Sequence, residues 1–193
     1  MSQENSIGYD AAEYSQDKSQ AWRLWVEQYT LFWIFRTLGI NFDGLKVGDF
    51  GSGTGRYSRM MIDYGAKEVL AIEGDSQMIA QAKQESRAYQ GLVTYQKAWI
   101  QETRGSGDCQ FALGSYLLSY PKSSAEAVAY CKAIASHLAN PGIYVGFINN
   151  PEERAGGQQY APYGFTKTHN ADKAGDSDGA WVDWHIDGLS DPI

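Results

Sequence analysis

Five residues, Gly51-Ser52-Gly53-Thr54-Gly55, constrain this chain more than any others. They follow the short apolar run Leu45 to Phe50 and precede a helical pattern from Tyr57 to Tyr64 that stops at Gly65, so the order is strand, glycine turn, helix. Glycines at alternate positions let the backbone turn tightly and approach a ligand closely. They do so at the carboxyl end of a first strand, where open α/β sheets bind their ligands. Glu73 stands at the tip of the next apolar run, where a carboxylate can accept hydrogen bonds from both hydroxyls of a ribose. The pattern implies a nucleotide-like ligand.

The alternation of strand and helix continues. Val69 to Ile72 reads as a buried strand, and a helix begins near Ser76 with Asp75 or Ser76 as N-cap and Met78, Ile79 and Ala82 inward. Leu92 to Gln96 and Cys109 to Ser115 read as strands. Ser123 to Leu138 reads as a helix with Ala127, Val128, Cys131, Ile134 and Leu138 on one side, after which Pro141-Gly142 turns the chain into a strand from Ile143 to Ile148. Ahead of the glycine turn, Trp22, Trp25, Val26, Tyr29, Phe32 and Trp33 recur at helical spacing, stopped by Gly39. The tryptophans of that helix are expected to cover one face of the sheet. Strands separated by helices of this length predict an α/β fold: a Rossmann-like, doubly wound, mostly parallel sheet with helices on both faces.

The length of 193 residues fits a single domain. Residues 1–40 would supply a lid and helix, 45–149 the ligand-binding core, and 150–193 a substrate-side tail. The tail is acidic, with Glu152, Glu153, Asp172, Asp176, Asp178, Asp183, Asp187 and Asp191 against Arg154, Lys167 and Lys173, and Trp181 to Ile186 is its one clear strand. A hydrophobic share of 43% excludes wholesale disorder, and a net charge of -7 argues against nucleic acid and anionic membrane as partners. Cys109 and Cys131 lack zinc or disulfide spacing and read as buried thiols of a reducing compartment. No apolar segment is long enough to span a bilayer or resembles a leader, so a soluble cytoplasmic protein is expected.

Asp49 discriminates among ligands. A carboxylate two residues ahead of the first glycine would oppose the pyrophosphate of a dinucleotide, and a Walker loop would need Gly-Lys-Ser/Thr where this chain has Gly55-Arg56-Tyr57. S-adenosylmethionine carries an ammonium and a sulfonium instead of phosphate, and an acid beneath the turn attracts both.

Val47-Gly48-Asp49-Phe50-Gly51-Ser52-Gly53-Thr54-Gly55 after a first strand, with an acid closing the second, resembles the class I S-adenosylmethionine-dependent methyltransferases, the small-molecule type included, over residues 9 to 150. The resemblance implies that Asp49, Gly51 and Gly53 hold the methionine moiety and Glu73 the ribose, with Ser52 and Gly55 also binding the cofactor. By it Gly74 and Asp75 flank the adenine, Ala98 and Trp99 lie over its edge, and Ser115 faces the transferred methyl together with Tyr116. S-adenosyl-L-homocysteine would be the product. The chain departs from the family at Ala98 and Gln110, where acids are common, and in its last antiparallel strands, which are apparently missing. Their absence would leave strand five near an exposed edge that invites association, a homodimer included.

Methyl transfer is an in-line displacement governed by positioning and water exclusion, so no catalytic residue is assigned. Tyr14, Tyr116, Tyr160 and Tyr163 are the candidate substrate-binding residues, with Tyr9 and Phe165 beside them in sequence. His137 reads as a helix C-terminal cap, and Asp183, His185 and Asp187 as a solvated polar face rather than a metal site. The favoured reading is methyl transfer to an O or N atom of a small molecule, without metal. The rivals are a cofactor-binding module without transfer activity and a nicotinamide-dependent oxidoreductase, which Asp49 disfavours.

Overall fold

The computed structural model describes residues 23–148, together with the backbone of strands 165–169 and 182–186. Among these, residues 35–148 belong to one compact unit, and residues 23–34 and the two later strands to a second.

Short, largely buried runs become the strands of the first unit, β1, β2 and β4 being the most buried. They are β1 (Lys46–Phe50), β2 (Glu68–Glu73), β3 (Val93–Lys97), β4 (Cys109–Ser115) and β5 (Leu138–Phe147), in the order β3-β2-β1-β4-β5. All four pairings are parallel. Phe50 stands beside Ile72, Glu73 beside Lys97 and Ser115 beside Phe147, which brings the carboxyl ends of the strands to one edge. The chain leaves β1 toward β2 and β3, then returns on its other side as β4 and β5. That reversal opens a ligand crevice at the carboxyl ends of β1 and β4.

Helices α2 (Arg56–Asp63), α3 (Ser76–Glu85) and α4 (Ser124–His137) make the crossovers. Asp75 caps α3, its Oδ1 accepting from the backbone N–H of Gln77 at 2.7 Å and of Met78 at 3.0 Å; Met78, Ile79 and Ala82 face inward as expected. Alternation along the strands divides the core. Ala112 joins Phe50, Ile72, Ile100, Leu117, Tyr130, Ala133 and Ile134 on one side of the sheet. Its neighbour Phe111 meets Phe35 and Phe42 edge-to-face on the other, at 5.6 and 5.2 Å between ring centroids.

Several expectations change. The buried face of α4 is Tyr130, Ala133, Ile134 and His137, so Val128 and Cys131 are exposed and Cys131 is not a buried thiol. A bulky Tyr130 outweighs small Ala127 and Cys131 in choosing the inward face, because burial scales with apolar area. Cys109 is buried, its thiol pushed up to about 11 by desolvation. β5 follows α4 without a separate turn: Cys109 pairs with Leu138 and Phe111 with Ile143, so 139–142 bulge from the ladder. His137 is no exposed cap. Its ring lies 5.1 Å from that of Phe50, its Nε2 bonds Thr103 Oγ1 at 2.9 Å, and burial lowers its basicity.

The first helix begins with a π-helical turn, Arg23–Glu27, and continues as α1 (Gln28–Leu38). Its buried positions are Arg23, Glu27, Leu31 and Phe35, while Trp25, Val26, Tyr29, Phe32 and Trp33 are exposed. Trp25 and Trp33 are therefore not the core residues they were expected to be; Trp22 lies outside the described residues. Large apolar residues on both faces, Leu31 and Phe35 inward and Trp25, Tyr29 and Trp33 outward, give periodicity no unique face to choose. In the tail, β7 (Val182–Ile186) falls where a strand was expected and pairs antiparallel with β6 (Phe165–His169), which the sequence reading did not identify. No helix among the described residues is long and apolar enough to cross a membrane.

Candidate functional site

The glycine turn is held from three directions. Gly51 N–H and Ser52 N–H both donate to the Ile72 carbonyl, at 2.8 and 3.1 Å, and Gly55 N–H donates to that of Ser52 at 2.9 Å. Gly53 N–H donates to Glu73 Oε2 at 2.8 Å, tying the turn to the end of β2. Gly51, Gly53 and Gly55 all have positive φ, the left-handed region that glycine alone enters freely. At Gly55 a Cβ would also lie 2.1 Å from Tyr95 Oη, so backbone and packing both demand glycine there.

Two acids underlie the turn. Asp49 is fully buried in β1, where its Oδ2 accepts from Ser58 Oγ at 2.5 Å. Desolvation pushes its carboxyl up to about 6; the Ser58 hydrogen bonds oppose the rise, and the charge of Glu73 adds to it. Glu73 is also raised by burial, against the backbone donors of Asp75, Gly53 and Gly74. Its Oε1 accepts from Asp75 N–H at 2.9 Å. Each carboxylate oxygen has two acceptor sites, so Glu73 retains capacity for a diol while bracing the turn.

The remaining expected residues line the same edge. A Cβ on Gly74 would lie 2.3 Å from the Trp99 ring, so that indole sits flat on the Gly74 backbone, while Ala98 N–H donates to the Glu73 carbonyl at 3.0 Å. Ser115 ends β4. Tyr116 follows it at φ 61, the one described non-glycine residue with positive φ, its N–H donating to the Phe147 carbonyl at 2.8 Å and its ring 6.0 Å from that of Phe147. Strain of this kind clusters at ligand sites. Tyr9, Tyr14, Tyr160 and Tyr163 lie outside the described residues. Gln110 sits at the opposite, amino-terminal edge, where its Oε1 accepts from Lys46 N–H at 2.9 Å. Among the described residues no cluster of His, Cys, Asp and Glu could hold a metal.

Four supporting residues, Ser58, Arg59, Ser86 and Tyr95, escaped the sequence reading. Ser58 bonds Asp49, and its signal was a hydroxyl on the otherwise apolar inner face of α2. Arg59 spans the back of the turn: Nη1 donates to the Thr54 carbonyl at 2.7 Å and to Ser86 Oγ at 3.2 Å, and Nη2 to Glu85 at 2.7 Å. Ser86 Oγ in turn bonds Tyr95 Oη at 2.7 Å. Nothing in local sequence joins Arg59 to Tyr95.

The donor set suits a ligand with cationic, hydroxyl and aromatic parts. Asp49 is a buried acid hydrogen-bonded by the neutral Ser58 hydroxyl, Glu73 a diol acceptor, and Trp99 an aromatic wall. Ser52 Oγ and Ser115 Oγ are buried without hydrogen-bond partners, which leaves two hydroxyls to be satisfied from the crevice. S-adenosylmethionine fits this set.

Residues 47–142 match a family model described as a methyltransferase domain. The fold is similar to that of an S-adenosylmethionine-dependent methyltransferase from Mesorhizobium loti, with 21% identity and a TM-score of 0.54 over 80% of this chain and 63% of that one. It is also similar to a putative S-adenosylmethionine-dependent methyltransferase from Listeria monocytogenes, with 24% identity and a TM-score of 0.53 over 74% of this chain and 62% of the other. The chain thus spans less than two thirds of these two relatives. The DhpI–SAH complex is matched more evenly, over 93% of this chain and 94% of that one, at 15% identity and a TM-score of 0.56. Among curated proteins no sequence matches the chain.

Proposed function

We propose, because the chain belongs to the class I S-adenosylmethionine-dependent methyltransferases, that it transfers a methyl group to an O or N atom of a small molecule. The observation that carries this reading is the buried Asp49 beneath three glycines of positive φ, with Glu73 cross-linked to the same turn. When bound, S-adenosylmethionine supplies an electrophilic methyl group on a sulfonium. Asp49 and the Gly51–Gly55 turn would hold its amino-acid end, Glu73 the ribose and Trp99 the adenine side.

The protein's part is positioning and exclusion of water. Asp49, once opposed by an ammonium, becomes a stable anion, because an adjacent cation reverses the effect of burial. Tyr116 and Ser115, at the end of β4, face the crevice from the acceptor's side. A net charge of -7 supports a small acceptor over a nucleic acid.

Calorimetric titration with S-adenosylhomocysteine, with NADH as comparator and Glu73→Ala as control, tests the cofactor site. Micromolar binding that is lost in the variant and absent for NADH is the expected result, and folded protein that binds neither would refute it. Product formation across O- and N-nucleophile acceptors then tests transfer. Binding without any turnover would favour a cofactor-binding module.

A further inference from the structure

Away from the crevice, the first unit holds a second cavity of about 340 Å³, bounded by the end of α3, the short helix Arg87–Tyr89 and β3. Val93 and Tyr95 form its β3 wall. Val93 pairs with Val69 near the amino end of the sheet, whereas the crevice opens at the other end, where Lys97 pairs with Glu73. The cavity therefore lies behind the glycine turn and apart from the crevice. Its size falls at the lower end of the range of small-molecule sites.

The hydroxyls of its wall are already engaged. Ser86 Oγ bonds Tyr95 Oη at 2.7 Å and accepts from Arg59 Nη1 at 3.2 Å, while Tyr89 Oη donates to both oxygens of Asp63, at 3.0 and 3.1 Å. With both phenols tied down, the Tyr89 and Tyr95 rings and Val93 offer a flat apolar surface that is fixed before any ligand arrives. Two cations are left over. Lys83 and Arg87 both line the cavity, and among the described residues neither has an acid within ion-pair distance, although the chain carries 23 acids against 16 Lys and Arg. Like charges sharing one cavity repel, and an anion placed between them turns that repulsion into attraction. The planar guanidinium of Arg87 suits the oxygens of a carboxylate or a phosphate.

We propose that this cavity binds a small molecule with a flat aromatic body and one oxyanion, the body against Tyr89, Tyr95 and Val93 and the oxyanion at Lys83 and Arg87. Each half of the site excludes a simpler guest. A bare inorganic anion would leave the rings and Val93 uncovered, and a neutral aromatic would leave the two cations unpaired. Binding there is independent of methyl transfer.

Amide proton–nitrogen correlation spectra of the whole chain, titrated with naphthoate, should show saturable shifts clustered at residues 83–95, with a Kd at or below about 1 mM. Naphthylmethanol, which keeps the ring and loses the charge, should bind at least about tenfold more weakly, and so should inorganic phosphate. Naphthyl phosphate run beside naphthoate identifies the preferred oxyanion by whichever binds more tightly. Lys83→Glu with Arg87→Glu should abolish the shifts while leaving the circular dichroism spectrum unchanged; Lys83→Gln with Arg87→Gln replaces that pair if it does not fold. Lys132→Glu, an exposed cation on α4, should leave binding as it was, which separates the local site from overall charge. No shift with either aromatic anion up to about 5 mM would overturn the proposal. So would shifts centred on the glycine turn, binding indifferent to the double variant, or naphthylmethanol binding as tightly as naphthoate.

Discussion

The two flanks of β1 are built differently. Toward β2 and β3 the register runs unbroken, and the turn at its end is fastened by Glu73, the Ile72 carbonyl and Arg59. Toward β4 and β5 the ladder slips between Cys109 and Phe111, Tyr116 takes a left-handed conformation, and Ser115 keeps an unpartnered hydroxyl. The over-determined flank suits a ligand of fixed shape. On the proposed reading the acceptor binds beside Ser115 and Tyr116 at the end of this flank, whereas the slip at Cys109 lies at the opposite, amino-terminal edge of the sheet.

The largest effect should come from filling the fastened flank. Gly55→Ala forces a Cβ into Tyr95 at positive φ and should cost roughly 3 kcal/mol or more in urea unfolding. Gly91→Ala, with φ +84 and nothing within 4 Å, should cost only about 1 kcal/mol, so the difference isolates the crowding. Equal losses would mean that Tyr95 yields freely.

Asp49→Asn should separate binding from stability. The folded carboxyl titrates at about 6 against an ordinary 3.8, so ionisation opposes folding. The contribution of Asp49 is most favourable below the lower value, declines as pH rises between the two, and stays level above. Asp49→Asn should flatten that dependence and gain on the order of 2–3 kcal/mol at pH 8, while losing S-adenosylhomocysteine binding. In the wild type that affinity should fall as pH drops below about 6, because a proton then occupies the site of the cation. An affinity constant from pH 5 to 8 would detach Asp49 from the ligand.

Arg59→Met should be milder, costing about 1–2 kcal/mol in stability and weakening the cofactor analogue roughly tenfold by calorimetry as the Thr54 carbonyl is released. On the looser flank, Tyr116→Gly should move stability by less than about 1 kcal/mol, because relief of strain offsets the lost contact with Phe147. Its effect should instead fall on the KM for acceptor.

The same asymmetry governs what was legible. The glycine turn, Asp49, Glu73 and the Asp75 cap are signalled within a few residues of themselves, and the parallel sheet follows from the alternation of strand and helix. Tyr95 against Gly55, Arg59 against Ser86 and the slip opposite Cys109 depend on segments far apart in sequence, which periodicity cannot join. The inward faces of α1 and α4 failed for a further reason. In the first helix the buried line contains Arg23 and Glu27, which hydropathy assigns to solvent, and in α4 Tyr130 outweighs smaller apolar neighbours.

A central β1 also sets an order of assembly. Val47 pairs with Val69, a near neighbour along the chain, but it must wait for Phe111 to complete its other side. The β1–β2–β3 half can therefore form while β4 is still unmade, whereas closing β4 onto it incurs the entropy of a much longer loop. The rate-limiting event in folding should then be the docking of β4 and β5, and during synthesis the nascent chain would hold its finished half beside a bare strand edge until residue 115 arrives.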